Sequence, residues 1–170
     1  AWATILTVTE RDGALHTTEW HYRDRPDAVD FWPASTIKLY TAVASLELLH
    51  ERGFPLETTA IFEHGDADGK WVTDSARTMP EMLSEVFRRS SNEDYTLLLR
   101  LTGIDHINTQ LLTPERGFDH SALMRGYVLN RPWVYRRDEP QRVTLRAPDG
   151  RTKTFDHTWS GKSYSAERGA

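Results

Sequence analysis

The segment that most constrains the fold is a helix-forming run at residues 34–51, because its apolar side chains cover most of the helix circumference. Pro33 opens this run, Gly53 ends it and Pro55 prevents its continuation. A helix that is apolar on most sides is usually buried, so we expect other elements to pack around this one. Its apolar residues are Ile37, Tyr40, Val43, Ala44, Leu46, Leu48 and Leu49.

The elements around this helix are predicted from alternation, helical periodicity and turn residues. Apolar alternation on both sides of Asp12-Gly13 predicts a β-hairpin, since this dipeptide is a strong two-residue turn signal. Val143–Leu145 and Lys153–Phe155 are predicted to pair as a second hairpin around Pro148-Asp149-Gly150. Further helices are predicted at residues 80–89, 94–101 and 104–112, and residues 54–78 are expected to be irregular. This order of strands, helices and hairpin indicates an α+β fold in a single domain, residues 1–170.

Composition narrows the class of protein. Of the 170 residues, 38% are hydrophobic and 27% are charged, as in an ordinary globular protein. The net charge of −4 comes without a basic block, so we expect no nucleic-acid partner. The apolar run at residues 37–49 is too short and too polar to span a bilayer, so no membrane span is expected. The absence of cysteine rules out disulfides, thiol chemistry and cysteine-bound zinc.

Ser35 and Lys38 form the first candidate chemical group, because residues three apart share one face of a helix. A serine hydroxyl is a weak nucleophile and needs a base. Lysine can be that base when burial lowers its pKa, and Lys38 lies in a helix whose other faces look buried. The alternative is that Ser35 caps the helix while Lys38 reaches solvent.

Ser90-Ser91-Asn92, between two predicted helices, forms the second candidate group. A serine at such a junction can enter a cleft and pass on a proton, and an asparagine amide can bind a substrate carbonyl and a lysine together. Here too the alternative is capping, with Ser90 or Ser91 starting the helix near Glu93.

The two groups together resemble a known family. Residues 31–39, Phe-Trp-Pro-Ala-Ser-Thr-Ile-Lys-Leu, resemble the Ser-x-x-Lys signature of class A β-lactamases and penicillin-binding proteins. Residues 90–92, with Leu97-Leu98-Leu99-Arg100 and Gly103 after them, resemble the Ser-Asp-Asn motif and its helix, at a similar distance from the first motif. Ser91 stands where the lactamases often carry Asp. The resemblance covers about residues 5–112.

The resemblance implies a fold, a reaction and a role for each residue. The fold is a β-lactamase/transpeptidase-like one, in which a helical subdomain packs on an antiparallel sheet. Ser35 is the nucleophile that forms an acyl-enzyme, Lys38 takes its proton, Ser90 relays a proton to the leaving nitrogen and Asn92 holds the substrate's amide side chain. The expected substrate is a β-lactam or a D-alanyl-type peptide of peptidoglycan, the expected cofactors and metals are none, and the expected location is periplasmic or secreted.

Two pieces of the family pattern are not found. The third motif, Lys-Thr-Gly, has no match: Lys153-Thr154-Phe155 and Lys162-Ser163-Tyr164 come nearest and neither has the glycine. We therefore expect the chain to be the N-terminal part of a longer domain, with its C-terminal strands beyond residue 170 or on another chain. The deacylating glutamate has no clear match either, since residues 118–130 contain Asp119 but no Glu, and Glu115 lies earlier. An acyl-enzyme without this base is expected to hydrolyse slowly.

Two other interpretations remain open at this point. A non-catalytic relative could use the same cleft to bind a ligand or a partner protein. His64, Asp66 and Asp68 could hold a metal, although a turn rich in Asp and Gly is more often a solvated turn. A Ser-His-Asp hydrolase of the Gly-x-Ser-x-Gly type is not indicated, because the chain lacks that pattern.

Overall fold

The computed structural model describes residues 3–22, 34–118, 121–123 and 140–157. The chain forms two compact units, Ala1–Pro33 and Ala34–Ala170. Helices and antiparallel strands are both present, so the protein is of the α+β class.

The first unit is a β-hairpin. Strands β1 (Ala3–Arg11) and β2 (Ala14–Tyr22) pair antiparallel across a two-residue turn at Asp12-Gly13. Asp12 and Gly13 have φ angles of 53° and 74°, and a type I′ turn requires positive φ at both central residues. The hairpin predicted at this dipeptide is therefore confirmed.

The second unit contains four described helices, and the ends of the second and third are set by capping residues. Thr78 and Glu81 form a capping box at the start of the second helix, and Gly103, with φ of 81°, ends the third. The helices are α1 (Lys38–Glu51), α2 (Met79–Arg89), α3 (Asn92–Thr102) and α4 (Ile104–His106). Short turns flank them: 3₁₀ turns at Ala34–Ile37 and Pro114–Arg116, and a π-helical turn at Ile107–Leu111. The helices predicted at residues 80–89 and 94–101 are confirmed to within two residues at their ends. The helix predicted at 34–51 is α-helical only from Lys38, after a 3₁₀ turn, and the one predicted at 104–112 continues beyond His106 as a π-helical turn.

A four-stranded antiparallel sheet lies beside the helices, with strand order β4-β3-β5-β6. Its strands are β3 (Thr59–Gly65), β4 (Trp71–Thr78), β5 (Gln141–Arg146) and β6 (Thr152–His157). The pairing of β5 with β6 confirms the second predicted hairpin.

The expectation that residues 54–78 are irregular was wrong, because β3 and β4 pair as a hairpin there. The turn between them is closed by Asp66, whose Oδ1 accepts hydrogen bonds from the Asp68 and Lys70 amides at 3.0 and 2.7 Å. Strand β4 is an edge strand whose residues, taken whole, are exposed or half-buried, so it shows little of the alternation by which a strand is recognised.

The centre of the second unit is α3 rather than α1. Every residue of α3 from Asp94 to Thr102 is buried, whereas Leu39 and Leu46 of α1 are 52% and 40% exposed. The expected burial of α1 is thus found on the side that carries Thr41, Ala44 and Leu48, and not at Leu39 and Leu46. Helix α3 is enclosed because α1 and α2 pack on it and a buried arginine ties it to β3 and β4. One apolar core joins the helices to the inward side chains of β3 and β5, among them Ala60, Phe62, Val143 and Leu145. None of the described helices is long and apolar enough to cross a membrane.

Candidate functional site

Ser35 and Lys38 lie where the 3₁₀ turn Ala34–Ile37 passes into α1. The Ser35 side chain is exposed, whereas Lys38 is 2% exposed. Ala34, just before Ser35, has a φ of 46°, a left-handed conformation that costs a non-glycine residue roughly 1 kcal/mol. Backbone strain of this kind often accompanies a functional position, because the surrounding structure has to hold it in place.

The Ser90-Ser91-Asn92 junction is a tight connection between α2 and α3. Ser90 ends α2 in a left-handed conformation, with φ of 54° and ψ of 38°. Ser91 is the N-cap of α3, and its hydroxyl accepts a 3.1 Å hydrogen bond from the Asp94 amide. Asn92 is then the first residue of α3. The sharp turn at Ser90 allows the side chains on both sides of the cap to approach Lys38.

Lys38 contacts both Ser90 and Asn92 of the α2–α3 junction. Its Nζ donates hydrogen bonds to the backbone oxygen of Ser90 at 2.5 Å, to Ser90 Oγ at 2.9 Å and to Asn92 Oδ1 at 2.6 Å. A protonated lysine has three N–H donors and no acceptor, so these three oxygens match the ammonium form. A neutral amine has two N–H groups and one lone pair, and it would need one of these partners to become a donor.

Ser90 is the partner of Lys38 that can donate a hydrogen bond to the neutral amine, because a hydroxyl both donates and accepts. Its Oγ also lies 2.8 Å from Ser35 Oγ. Ser35, Ser90 and Lys38 are thus joined in an unbroken line of hydrogen bonds, with the Ser90 hydroxyl between the other two groups. A proton can move from Ser35 to Lys38 along this line when the hydroxyls reorient.

Burial shapes the electrostatics of the site. It lowers the pKa of Lys38 below the ordinary lysine value of 10.5, because the buried ammonium loses hydration. The oxygens of Ser90 and Asn92 that accept hydrogen bonds from Lys38 are uncharged, and each holds a proton on the amine less firmly than a carboxylate at the same place would. This environment favours a lysine that can act as a base.

The capping alternative holds for one of the four serine and asparagine positions. Ser91 caps α3, as its contact with Asp94 shows. Ile37, not Ser35, holds the N-cap position of α1. Lys38 does not reach solvent, because its side chain is buried. The structure therefore brings Ser35, Lys38, Ser90 and Asn92 together, as their sequence pattern predicted.

The metal interpretation at His64, Asp66 and Asp68 is not supported by the geometry. His64 Nδ1 lies 2.8 Å from Asp74 Oδ1, and Asp66 closes the turn between β3 and β4. Within the described ranges, no group of three His, Asp or Glu side chains could hold a metal ion.

Lys153, one of the two candidates for the third motif, lies near the far end of α1. It is next to the β5–β6 turn, where the Arg151 guanidinium lies 5.0 Å from the Phe54 ring. Nearby, the Arg52 guanidinium lies 4.4 Å from the Phe155 ring. Arg52 and Phe54 follow the C-terminus of α1, roughly 20 Å along the helix from Lys38. Lys153 is therefore not placed to serve Ser35. Lys162, like Asp119 and residues 31–33 of the first motif, lies outside the described residues.

A buried ionic cluster that joins α3 to β3 and β4 was not predicted from the sequence. Arg100 is completely buried and its Nη2 lies 3.1 Å from Asp74 Oδ2, while His64 contacts the other oxygen of the same carboxylate. The one available signal was an arginine within an otherwise apolar helical stretch, Leu97–Leu101.

No protein-family model, curated protein or solved structure matches this chain. The function is therefore inferred from the geometry of the site.

Proposed function

We propose that the protein is a serine hydrolase that acts through an acyl-enzyme on a β-lactam or a D-alanyl-type amide, with Ser35 as nucleophile. The observation that carries this proposal is the hydrogen-bonded line from Ser35 through Ser90 to the buried Lys38. A nucleophile, a proton acceptor with lowered pKa and a hydroxyl between them are the parts that acyl transfer needs.

The acylation step follows from these contacts. Neutral Lys38 takes the proton of Ser90 Oγ, Ser90 Oγ takes the proton of Ser35 Oγ, and Ser35 Oγ bonds to the substrate carbonyl carbon. The carbon–nitrogen bond then breaks, and Ser90 Oγ returns a proton to the leaving nitrogen while Lys38 gives its proton back to Ser90. The products are an ester on Ser35 and a free amine, with Lys38 neutral again. Ser90 thus carries protons in both halves of the step.

Stabilisation of the oxyanion and binding of the substrate complete the proposal. The backbone N–H of Ser35 donates to the oxyanion, together with an N–H from a sheet strand. The side-chain amide of Asn92 has donors besides the Oδ1 that faces Lys38, and these bind a carbonyl of the substrate.

Slow deacylation is part of the proposal. Glu115, the described carboxylate nearest in sequence to the family's deacylating glutamate, lies exposed in the turn Pro114–Arg116. Hydrogen bonds from its own backbone N–H and from Thr113 lower its pKa. A carboxylate with a lowered pKa is a weaker base for activating water. A long-lived acyl-enzyme suits a penicillin-binding or peptidase-like protein acting outside the cytoplasm.

Labelling with a fluorescent penicillin tests the proposal. The wild-type protein and Ser91→Ala should become labelled, and Ser35→Ala should not. Pre-incubation with an unlabelled penicillin or with a D-alanyl-D-alanine peptide should reduce labelling according to which substrate the site accepts. If the wild type is not labelled and consumes no β-lactam, the hydrolase proposal fails.

A further inference from the structure

Arg100 is held deep inside the second unit by contacts on several sides. Its Nη2 lies 3.1 Å from Asp74 Oδ2 and 3.3 Å from the backbone oxygen of Glu63, and its guanidinium lies 5.5 Å from the Phe62 ring. The Asp74 carboxylate is also almost completely buried, and its other oxygen lies 2.8 Å from His64 Nδ1. Two opposite charges are thus paired where water does not reach them.

Such a pair is not the simplest way to fill a core. Removing both charges from water is costly, and apolar residues of similar size often give equal or greater stability. A buried ion pair does, however, fix the relative position of the elements it joins, because its hydrogen bonds tolerate little displacement. The pair of Asp74 and Arg100 joins strand β4 to helix α3.

The ion pair joins the two segments that carry the partners of Lys38, which are β4 with α2, and α3. Asp74 is on β4, which passes through Thr78 directly into α2, and α2 ends at Ser90. Arg100 is on α3, which begins at Asn92. The chain therefore leaves the ion pair at Asp74, runs through α2 to Ser90 and Asn92, and returns along α3 to the ion pair at Arg100.

We propose that Asp74 and Arg100 are positioning residues for the active site, which hold the α2–α3 junction at the correct distance from Lys38. The reaction they serve is the one proposed above, but their effect on Lys38 can be measured without it. The hydrogen bonds from Lys38 Nζ to Ser90 and Asn92, 2.5 to 2.9 Å long, leave little room for movement of α2 or α3. A displacement of about 1 Å at a reacting group can cost on the order of a hundredfold in rate.

The test compares two variants with a matched control. Arg100→Met removes the guanidinium, and the double variant Asp74→Asn with Arg100→Met removes both charges so that neither is left unpaired. Arg142→Met is the control, because Arg142 forms a two-bond ion pair with Glu63 on the same sheet, at 2.7 and 3.1 Å, without joining α2 to α3. Circular dichroism and thermal unfolding establish that each variant is folded.

The readout is the titration of Lys38 itself, followed by NMR of protein labelled at the lysine ¹³Cε and assigned by loss of the signal in Lys38→Arg. We expect the titration midpoint of Lys38 to rise toward that of an ordinary lysine in Arg100→Met and in the double variant, because a displaced junction admits water to the ammonium. Arg142→Met should leave the midpoint unchanged. Penicillin acylation should slow by about tenfold or more in the same two variants only.

The outcomes separate this proposal from the proposed function. If the wild type is not acylated but the Lys38 midpoint moves as expected, the positioning role stands and the hydrolase proposal fails. If both folded variants keep the wild-type midpoint, the positioning role is wrong whatever the acylation rate. Failure of the double variant to fold would also overturn it, since the pair would then be a requirement of the fold rather than of the site.

Discussion

Ser35 Oγ and Ser90 Oγ lie 2.8 Å apart, although 55 positions separate the two residues in the chain. Ser90 Oγ also accepts a 2.9 Å hydrogen bond from Lys38 Nζ. The hydroxyl of Ser90 therefore connects Ser35, the proposed nucleophile, to Lys38, its proposed base.

Removal of the Ser90 hydroxyl should slow acylation by a penicillin by about 10²- to 10⁴-fold, the usual contribution of a positioned proton-transfer group. Ser90→Gly is the better variant than Ser90→Ala, because glycine adopts the left-handed conformation at φ of 54° without strain. The rate is measured by stopped-flow or by labelling over time. Equal rates for Ser90→Gly and wild type would contradict the proposed relay.

Ser91→Ala provides the matched control at the neighbouring position. Ser91 caps α3 and contacts Asp94, so its loss should lower the free energy of unfolding by about 1 kcal/mol. Urea unfolding measures this change. The acylation rate should stay within about twofold of wild type, because a cap acts on the stability of the helix rather than on the proton path. A large loss of acylation in this folded variant would show that the two serines had been assigned the wrong roles.

The pH dependence of acylation should follow the protonation of Lys38. Burial lowers the pKa of Lys38, so the fraction of neutral lysine, and with it the acylation rate, should rise with pH and level off below the ordinary lysine value of 10.5. Lys38→Arg should lose acylation at every pH, because a guanidinium keeps its proton. A rate in wild type that falls as pH increases from 6 to 9 would conflict with a lysine base.

The same burial has a consequence for stability that can be measured separately. The lysine binds its proton less tightly in the folded protein than in the unfolded chain, so its contribution destabilises the fold at low pH. This cost is relieved as pH rises from the lowered pKa of the folded state toward 10.5. Denaturant titrations of wild type and Lys38→Met should show that the difference in unfolding free energy changes in this direction as pH increases. The opposite slope would mean that folding raises the pKa of Lys38.

Asn92→Asp should move the pH profile in a defined direction. The oxygen at this position lies 2.6 Å from Lys38 Nζ, and a carboxylate there would stabilise the ammonium and raise the pKa of Lys38. The midpoint of the pH–rate profile should therefore shift to higher pH, with activity partly recovered in alkaline buffer. Asn92→Leu, which adds no charge, should lower the rate without this shift. An unchanged midpoint in Asn92→Asp would show that Lys38 does not control the profile.

Much of the secondary structure was predictable because local signals were strong. Asp12-Gly13 and Pro148-Asp149-Gly150 mark turns by their backbone requirements, and Gly103 ends α3 for the same reason. The hairpin of β3 and β4 was missed since the inward positions of β3 include Ala60 and His64, which are weak markers of a buried strand.

Only those residues of the candidate site that belong to short sequence motifs could be predicted. Ser35, Lys38, Ser90 and Asn92 belong to two short patterns, and residue spacing within each pattern suggested which side chains could meet. The pairing of Asp74 with Arg100 left no such trace, because the two residues are 26 positions apart on a strand and a helix. The central position of α3 was missed for a related reason: burial depends on which elements pack on a helix, and α1 has the more apolar sequence.

The central claim, that Ser35 is the nucleophile, is tested most directly by mass spectrometry of the protein at its full natural length after incubation with a penicillin. We expect a persistent gain of one penicillin mass, located by peptide mapping on the peptide that contains Ser35 and present in Ser91→Ala but absent in Ser35→Ala. No gain in the wild type, or a gain that survives in Ser35→Ala, would contradict the account.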